Sequence, residues 1–452
     1  MQNRKNVQNA EVVCEVTALG TNAEGICETP ELRVFVPFVN VGERVRVRLN
    51  YCKGGIAYGD CVEVLSPNHR VVPRCPAFGK CGGCQLQQAQ YDAQLRWKAR
   101  LIRQNLKKIG GIDRDVSVVA STRWGYRNKL QMPFGIDRKR VVLGFYRTGS
   151  HELVPVESCP LQSGWEKALI RIVCEWANEN HLSVYREKTH RGCLRHLVAR
   201  YLNGQLSVTV VVNGESLPNA EKLYEKLLRE FPSVGLFWNR NVRPTNVILG
   251  GETEHLFGQT AISAEENGIA FQLQPDSFYQ VNEEIKTKLY RRVKELLVLS
   301  RTEAVIDAFS GIGLLSAALY GDYEEYAVEI VPSAVADANA MKQKNRLSRL
   351  TNICGDVNEK LPQIFAALKG KKTALVVDPP RKGLSAETIE AILQAEPVQM
   401  VYISCDSATL ARDLKGLSTK YEIASVEGYD MFPNTRHVET VVSMFRKDPK
   451  RK

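Results

Sequence analysis

The sequence predicts a multidomain α+β and α/β protein with a small N-terminal β-barrel, a central α/β domain and a C-terminal doubly wound sheet. Three observations predict this class. Short alternating segments broken by glycine fill residues 12–65, closely spaced cysteines follow them, and strands alternate with helices through the last third. The 452-residue chain is also long enough for about three domains.

The composition favours a cytoplasmic protein with sizeable cores. Hydrophobic residues make up 44% of the chain, but no apolar run approaches the roughly 18 residues that a membrane helix needs. The N-terminal stretch MQNRKNVQNAE has no apolar segment of the kind found in signal peptides. In such a protein, twelve cysteines indicate metal binding or catalysis rather than disulfides.

The positive charge is concentrated in one segment. Residues 96–150 contain 14 basic and 3 acidic side chains, an excess equal to the +11 of the whole chain. Aromatic residues alternate with these cations: Trp97, Trp124, Tyr126, Phe134, Phe145 and Tyr146. The mixture favours contact with RNA phosphates and unpaired bases, although a solvated face above core aromatics is the alternative.

The N-terminal segment predicts a five-stranded barrel of the oligonucleotide-binding type. Short stretches between Val12 and Leu65 alternate apolar and polar residues, and the breaks fall at glycines 20, 25, 42, 54, 55 and 59. A barrel of this type does not by itself establish RNA binding.

Three cysteines follow the barrel at close spacing, Cys75, Cys81 and Cys84, with Cys159 as a distant fourth candidate. Iron–sulfur clusters take four thiolates, and nearby glycines let the backbone fold around a cluster. Structural zinc is the main alternative, but zinc sites more often use two separated pairs of ligands.

The region from Gln85 to about Ala264 predicts a mixed α/β domain without a catalytic motif of its own. We expect a basic helix over 91–109 and further helices over 165–179 and 219–230, with strands near 194–202 and 206–212. Its expected role is to hold the cysteine cluster and to grip RNA.

The C-terminal third predicts a nucleotide-type cofactor site at the ends of its strands. The segment DAFSGIG, which contains Gly311, lies at the first strand-to-helix turn, Glu329 ends the second strand, and Asp356 follows the third. NAD is disfavoured because Ser316 stands where its fingerprint has a third glycine. The form of the motif is usual for S-adenosylmethionine enzymes, although each acid taken singly could be a helix cap.

Two further motifs follow in this sheet. Asp378 ends strand four before Pro379-Pro380, a pattern also found in enzymes that methylate amino groups. Cys405 follows the apolar strand that begins near Gln399 and precedes a helix opened by Ser407 and Thr409. A thiol at this edge lies where such sheets bind substrates, and we expect the helix N-terminus to favour the thiolate. A small buried core cysteine is the alternative reading.

Several motifs in sequence order resemble one known family. VFVP, CPxFGxCGGCQLQ, QPDSFYQVN, DAFSGIG, DPPRKG, VYISCDSATLARDL and MFPNTRHVETV together resemble the ribosomal branch of the RNA 5-methyluridine methyltransferases. The resemblance implies a TRAM β-barrel over 10–66, a central domain with an iron–sulfur cluster over 67–270, and a Rossmann-like class I methyltransferase domain over 271–448.

The resemblance also implies roles for individual residues. The ligands of a structural [4Fe-4S] cluster would be Cys75, Cys81, Cys84 and Cys159. S-adenosylmethionine would be bound by Gln280, Phe309, Glu329 and Asp378. The positions of Gly311 and Asp356 at the strand ends add these two residues, with Asp356 placed for the adenine. Asp406-Ser407 departs from the commoner Asn-Pro after the nucleophile, and a carboxylate there opposes ionisation of the thiol unless it points away.

The same resemblance implies a covalent mechanism. C5 of uracil is too weak a nucleophile to attack a methylsulfonium unaided, so the Cys405 thiolate would first add to C6. A base must later remove the C5 proton, and Glu439, just before the last strand, is the candidate. The uridine would be flipped out of its helix into the crevice.

The implied substrate is a uridine of 23S ribosomal RNA, and no obligate protein partner or membrane contact is evident. Two alternatives remain open. The same reaction on transfer RNA would share all of the chemistry, whereas a non-catalytic iron–sulfur RNA-binding protein or redox sensor would not require Cys405 and Glu439 together.

Overall fold

We describe a computed structural model, which covers residues 9–251 and 253–448. The polar stretch 1–8, which we expected not to be a signal peptide, lies outside the described residues. Backbone contacts divide the chain into two compact units. Unit 1 contains the described part of Met1–Leu101 with Phe145–Val154 and Phe432–His437, and unit 2 contains Ile102–Gly144, Pro155–Met431 and the remainder from Val438.

A closed five-stranded barrel forms the N-terminal part of unit 1, as the sequence predicts. Its strands are β1 (Glu11–Leu19), β2 (Gly25–Glu28), β3 (Arg33–Val36), β4 (Arg44–Lys53) and β5 (Ile56–Ser66), in the order β1-β2-β3-β5-β4. Successive side chains of β4 point to opposite faces, so Val45, Val47 and Leu49 lie in the core, where they are fully buried. A Cβ on Gly59 would lie 2.5 Å from the Arg48 carbonyl oxygen, so this close strand crossing requires glycine.

The basic helix predicted over 91–109 is present. It consists of α1 (Tyr91–Asn105) and a π-helical turn over Leu106–Gly110 that ends at Gly111, whose φ is +70°. Strand β6 (Ser117–Val119) follows.

A seven-stranded sheet forms the middle of the chain. Its elements are β7 (Lys129–Asp137), β8 (Arg140–Tyr146), β9 (Leu153–Pro155), α2 (Trp165–Glu179), β10 (Leu194–Leu202), β11 (Gln205–Val212), α3 (Ala220–Glu230), β12 (Val234–Arg240) and β13 (Thr253–Gly258). The strand order is β13-β12-β11-β10-β7-β8-β9. The predicted helices and strands of this region are therefore confirmed.

The C-terminal sheet has eight strands in the order β18-β17-β16-β19-β20-β22-β21-β6. Before it come the hairpin β14 (Ile262–Glu266) and β15 (Ile269–Leu273), helix α4 (Glu283–Leu296) and a 3₁₀ turn over Leu299–Arg301. The alternating elements are β16 (Ala304–Ala308), α5 (Leu314–Leu319), β17 (Glu324–Glu329), α6 (Pro332–Lys344), β18 (Leu350–Cys354), α7 (Val357–Ala367), β19 (Thr373–Val377), α8 (Ala386–Ala395), β20 (Gln399–Ser404), α9 (Ser407–Leu417), β21 (Tyr421–Tyr429) and β22 (Glu439–Arg446).

Strands β16 to β20 are parallel, and the last two strands form the predicted antiparallel pair. Two adjacent strands at the end of the chain predict an antiparallel edge of the sheet, but this pair does not form the edge. The three residues of β6 pair in parallel with β21 and take the edge position. Among the described residues, no helix is both long and apolar enough to span a bilayer.

Candidate cofactor and catalytic site

The carboxyl ends of the parallel strands in unit 2 collect the polar residues of the predicted site. The strand order reverses between the neighbours β16 and β19, and ligands of doubly wound sheets bind at such a switch point. Glu329 ends β17, Asp378 directly follows β19, and Cys405 directly follows β20. The ladders of the sheet therefore fix these side chains along one edge.

The turn between β16 and α5 leaves space for a ligand beside its backbone. Phe309 and Gly311 have φ of +70° and +56°, and no atom lies within 4 Å of a Cβ built on Gly311. The amide of Gly311 donates to Oε2 of Glu329 (2.9 Å), and the amide of Val331 donates to Oε1 (2.9 Å). The Glu329 carboxylate is thus held next to the open turn.

Two neighbouring acids lie at the switch point. Desolvation raises the pKa of Asp307, which is 1% exposed, to about 7. Desolvation and the charge of Asp307 likewise raise the pKa of Asp378 to about 7. Ser316 Oγ donates to Oδ2 of Asp307 (2.6 Å), but Oδ1 has no hydrogen-bond partner among the described residues. A cationic ligand here would relieve the cost of ionising both acids, which suits the sulfonium of S-adenosylmethionine.

Cys405 and Glu439 lie side by side at the same edge. The antiparallel register pairs Ser404 with Thr440. Cys405, which follows Ser404, and Glu439, which precedes Thr440, are therefore neighbours. Desolvation and then Asp378 raise the pKa of Glu439 to about 8, and this side chain is buried. The structure brings the two predicted catalytic residues together with Asp378.

The surroundings of Cys405 together oppose ionisation of its thiol, although the sequence predicts a helix N-terminus that favours the thiolate. Desolvation and then the Glu439 carboxylate raise the pKa of Cys405 to about 11. Helix α9 begins at Ser407, as predicted. Its N-cap is Asp406, whose Oδ1 accepts from the amides of Ala408 (2.9 Å) and Thr409 (3.0 Å). The Asp406 carboxylate therefore satisfies the amides of the helix end, and the thiol needs other help to ionise.

Arg381 is the cation that sequence reasoning did not assign. Its exposed guanidinium opposes the raised pKa of both Cys405 and Glu439, and its carbonyl accepts from Thr409 Oγ1 (3.1 Å). Its position in the sequence was a signal of a role at the site, because Arg381 follows directly after the Asp-Pro-Pro motif. On α4, burial and the charges of Asp378 and Asp307 raise the pKa of the Tyr290 hydroxyl. No sequence motif indicated that Tyr290 lies near these acids.

Two predicted cofactor residues have local structural roles. Asp356 is the N-cap of α7 and accepts from the amide of Asn358 (2.8 Å). A helix cap is the alternative role that the sequence left open for this residue. Gln280 lies between β15 and α4, where its carbonyl accepts from Asn128 Nδ2 (3.1 Å). Their contacts with a cofactor remain predictions.

The candidate metal ligands are divided between the two units. Cys75, Cys81 and Cys84 lie on one loop of unit 1, whereas Cys159 precedes α2 in unit 2. All twelve cysteines lie among the described residues, and no disulfide joins any of them. In the described parts of the chain, no group of three or more His, Cys, Asp or Glu side chains is arranged to hold a metal ion.

Backbone bonds hold the cysteine loop. The amide of Cys81 donates to the Ala77 carbonyl (2.9 Å), and the amide of Gly83 donates to Cys81 Sγ (3.3 Å). Burial raises the pKa of Cys81, and neighbouring Cys75 adds to this. Gln85 Nε2 donates to the Gly82 carbonyl (2.9 Å) at the end of the loop.

Known proteins resemble almost the whole chain. The model of a family described as tRNA (Uracil-5-)-methyltransferase matches residues 90–447. An uncharacterized RNA methyltransferase of Clostridium tetani is 36% identical over 95% of both chains, and one from Halalkalibacterium halodurans is 37% identical over 96% of this chain and 97% of its own. The chain belongs to the tRNA (uracil-5-)-methyltransferase family.

A solved structure agrees with this assignment. The Pyrococcus abyssi tRNA (uracil-54, C5)-methyltransferase, in complex with S-adenosyl-L-homocysteine, superposes with a TM-score of 0.78 at 25% identity and covers 96% of this chain and 99% of its own. The protein is an S-adenosylmethionine-dependent RNA uracil-C5 methyltransferase. The predictions of S-adenosylmethionine as the cofactor and of RNA as the class of substrate are thus confirmed.

Proposed function

We propose that the protein methylates C5 of a uridine through a covalent bond between Cys405 and C6. The observation that carries this proposal is the pairing of Cys405 with Glu439 at the edge where Asp378 also lies. An enzyme that methylates a base nitrogen has no need of a thiol and a buried carboxyl at neighbouring positions.

Each residue has a defined task. The Cys405 thiol releases its proton to solvent, and the Arg381 guanidinium favours the thiolate. The sulfur then adds to C6, which breaks the C5–C6 double bond and makes C5 electron-rich enough to take the methyl group. S-adenosylmethionine supplies the methyl group as an electrophilic sulfonium. The Glu439 carboxylate then takes the C5 proton, the C5–C6 double bond re-forms, and the bond between sulfur and C6 breaks.

The cofactor contacts follow from the charges at the edge. Asp307 and Asp378 would face the positive sulfonium, which lowers the cost of keeping both acids ionised. Glu329 and the open turn at Gly311 would hold the ribose, and we propose Phe309, Gln280 and Asp356 as the remaining contacts.

The proposed RNA is 23S ribosomal RNA. Support comes from the motif CPxFGxCGGCQLQ and the N-terminal barrel, which resemble the ribosomal branch. The Pyrococcus abyssi relative acts on transfer RNA according to its description, so transfer RNA is the alternative. Mass-spectrometric mapping of 5-methyluridine in both RNAs, from cells with and without the gene, separates them. Loss of a mark from large-subunit RNA supports the proposal, and loss from transfer RNA alone overturns the substrate.

We also propose that the chain is divided into a TRAM barrel (10–66), a central domain (67–270) and a methyltransferase domain (271–448). We further propose a [4Fe-4S] cluster held by Cys75, Cys81, Cys84 and Cys159. Support comes from the three cysteines on one loop and from the amide of Gly83, a donor of the kind that stabilises cluster-bound sulfur. Iron and sulfide analysis after anaerobic purification tests the cluster. Colourless protein loaded with zinc would reject it.

A further inference from the structure

Three aromatic side chains form a row across the outer face of the barrel. In the strand register, Tyr58 on β5 is paired with Phe35 on β3 and with Tyr51 on β4. The ring centroids of Phe35 and Tyr58 are 5.3 Å apart with planes at 21°, and those of Tyr51 and Tyr58 are 6.3 Å apart. The three rings therefore make one continuous surface within unit 1.

The row is not part of the barrel core. Tyr51 and Tyr58 are 53% and 50% exposed, whereas the core is completed by Val34, Val47 and other fully buried residues. The described residues offer no hydrogen-bond partner to either phenol hydroxyl. An exposed aromatic cluster that lies outside the core is a candidate contact surface.

A second row on the same face contains cations. In the strand register, Arg33 on β3 and Lys53 on β4 are both paired with Ile56 on β5. Each of these three residues lies two positions from the aromatic residue of its own strand. Arg33 is ion-paired with Glu28 (2.7 Å), and Lys53 has no ion-pair partner among the described residues. Because side chains at i and i+2 lie on one face of a strand, the cations run beside the aromatic rings.

We propose that this face, formed by Phe35, Tyr51, Tyr58, Arg33 and Lys53, is a stacking platform for unpaired bases of the RNA substrate, an inference that rests on the proposed function. Base stacking on aromatic rings accepts any base, and nearby cations hold the phosphates between the bases. A duplex fits poorly because its bases are stacked internally.

The charges of the barrel decide how the platform binds. Residues 9–66 contain eight acidic and five basic side chains, so the barrel is not a general polyanion-binding surface. Stacking therefore supplies most of the affinity of this face, and Lys53 with Arg33 contacts two phosphates at most. The contribution of this face to the affinity for RNA should therefore depend only weakly on salt concentration, whereas the contribution of the basic segment 96–150 should depend on it strongly.

The test measures binding of the full-length protein to a single-stranded oligouridylate and to an RNA duplex of equal length. In the double variant Tyr51→Ala/Tyr58→Ala, we expect the Kd for the single strand to rise about tenfold or more and the Kd for the duplex to be unchanged. The pair Tyr51→Phe/Tyr58→Phe keeps both rings and should bind like wild type. Val13→Ala, an exposed barrel residue on β1, is the matched control.

Three results would overturn the platform. They are an unchanged Kd for the single strand in the alanine pair, an equal loss for the duplex, and an equal loss in the phenylalanine pair. Thermal unfolding of each variant checks that the barrel remains folded. Methyl transfer by wild type is measured separately, so its failure would reject the proposed function and not the platform.

Discussion

The carboxyl edge of the eight-stranded sheet and the cysteine loop of unit 1 both gather reactive side chains, but they do so by different means. At the sheet edge, hydrogen-bonded ladders fix Cys405, Glu439 and Asp378, and burial raises the pKa of each. On the loop, turns and a few backbone bonds position Cys75, Cys81 and Cys84. A sheet edge is formed before its ligand binds, whereas a loop of thiols that takes up a metal reaches its final geometry only when the metal is bound.

The largest effect is expected at the nucleophile. Replacing Cys405 by Ala should abolish methyl transfer while RNA binding remains, because no other group can form the bond to C6. Cys354→Ala is the matched control, since Cys354 ends β18 in the same sheet and is exposed. Turnover and RNA Kd are measured for both variants. Persistent methylation by the Cys405 variant would disprove the covalent mechanism.

The next largest effect is expected for Glu439→Gln. We expect turnover to fall by about 10²- to 10⁴-fold, because the amide cannot remove the C5 proton. In wild type, turnover should rise with pH as the carboxyl, with its pKa raised to about 8, becomes ionised. The variant should lack the part of this rise that is centred near pH 8, and it should keep only the rise at higher pH that comes from ionisation of the Cys405 thiol. Glu422→Gln, at an exposed position of β21, is the control, and an unchanged pH profile in the Glu439 variant would assign the base elsewhere.

The buried acids predict a dependence of stability on pH. Asp307 has a raised pKa in the folded protein, so its stabilising contribution is complete below its unfolded pKa and is lost as pH rises towards about 7. Across this window the free energy of unfolding should fall by about 1.4 kcal/mol per pH unit for this group. Urea unfolding of Asp307→Asn should show a shallower fall than wild type.

Exposed Asp322 provides the control for that measurement. Its pairing with Arg349 is a surface ion pair, so Asp322→Asn should reproduce the wild-type pH dependence. If Asp307→Asn also reproduces it, the carboxyl is not desolvated as described. Weaker binding of S-adenosylmethionine by Asp307→Asn would add support for a cation site at this edge.

The smallest effect on the cofactor site is expected from the cysteine loop. Cys81→Ser should lower the iron content and the thermal stability, but the Kd for S-adenosylhomocysteine should stay within about twofold of wild type. The reason is that Cys81 belongs to unit 1, whereas every proposed cofactor residue belongs to unit 2. Cys61→Ser, on the barrel of the same unit, should change neither property. A large loss of cofactor affinity in Cys81→Ser would show that the loop and the sheet edge depend on each other.

Local patterns predicted most of the fold. Alternation and glycines predicted the barrel, and repeated strand–helix units predicted the parallel sheet together with the position of Cys405 at a strand end. The edge strand β6 was missed because three residues, Ser117–Val119, carry little pattern, and their pairing with β21 spans about 300 residues of sequence. Non-local pairing of so short a segment depends on the folded sheet.

The chemistry of the site was harder to predict than its location. The pKa of Cys405 depends on burial and on Glu439, which is 34 residues away in the chain and adjacent in the sheet. The sequence analysis considered the helix that follows Cys405 and the neighbouring Asp406 carboxylate, but it did not consider Glu439 as a neighbour of the thiol. The cap formed by Asp406 is a local contact, whereas the effect of the Arg381 charge on Cys405 and Glu439 depends on how the strands are placed.

Mass spectrometry of Glu439→Gln incubated with RNA and S-adenosylmethionine tests the central claim most directly. If Cys405 attacks C6 and Glu439 completes the reaction, this variant should accumulate an RNA adduct that survives denaturation. After nuclease and protease digestion, the adduct should map to the peptide of Cys405 and carry a 5-methylated uracil. An adduct on another cysteine, or methylated RNA formed without any adduct on Cys405, would contradict the mechanism.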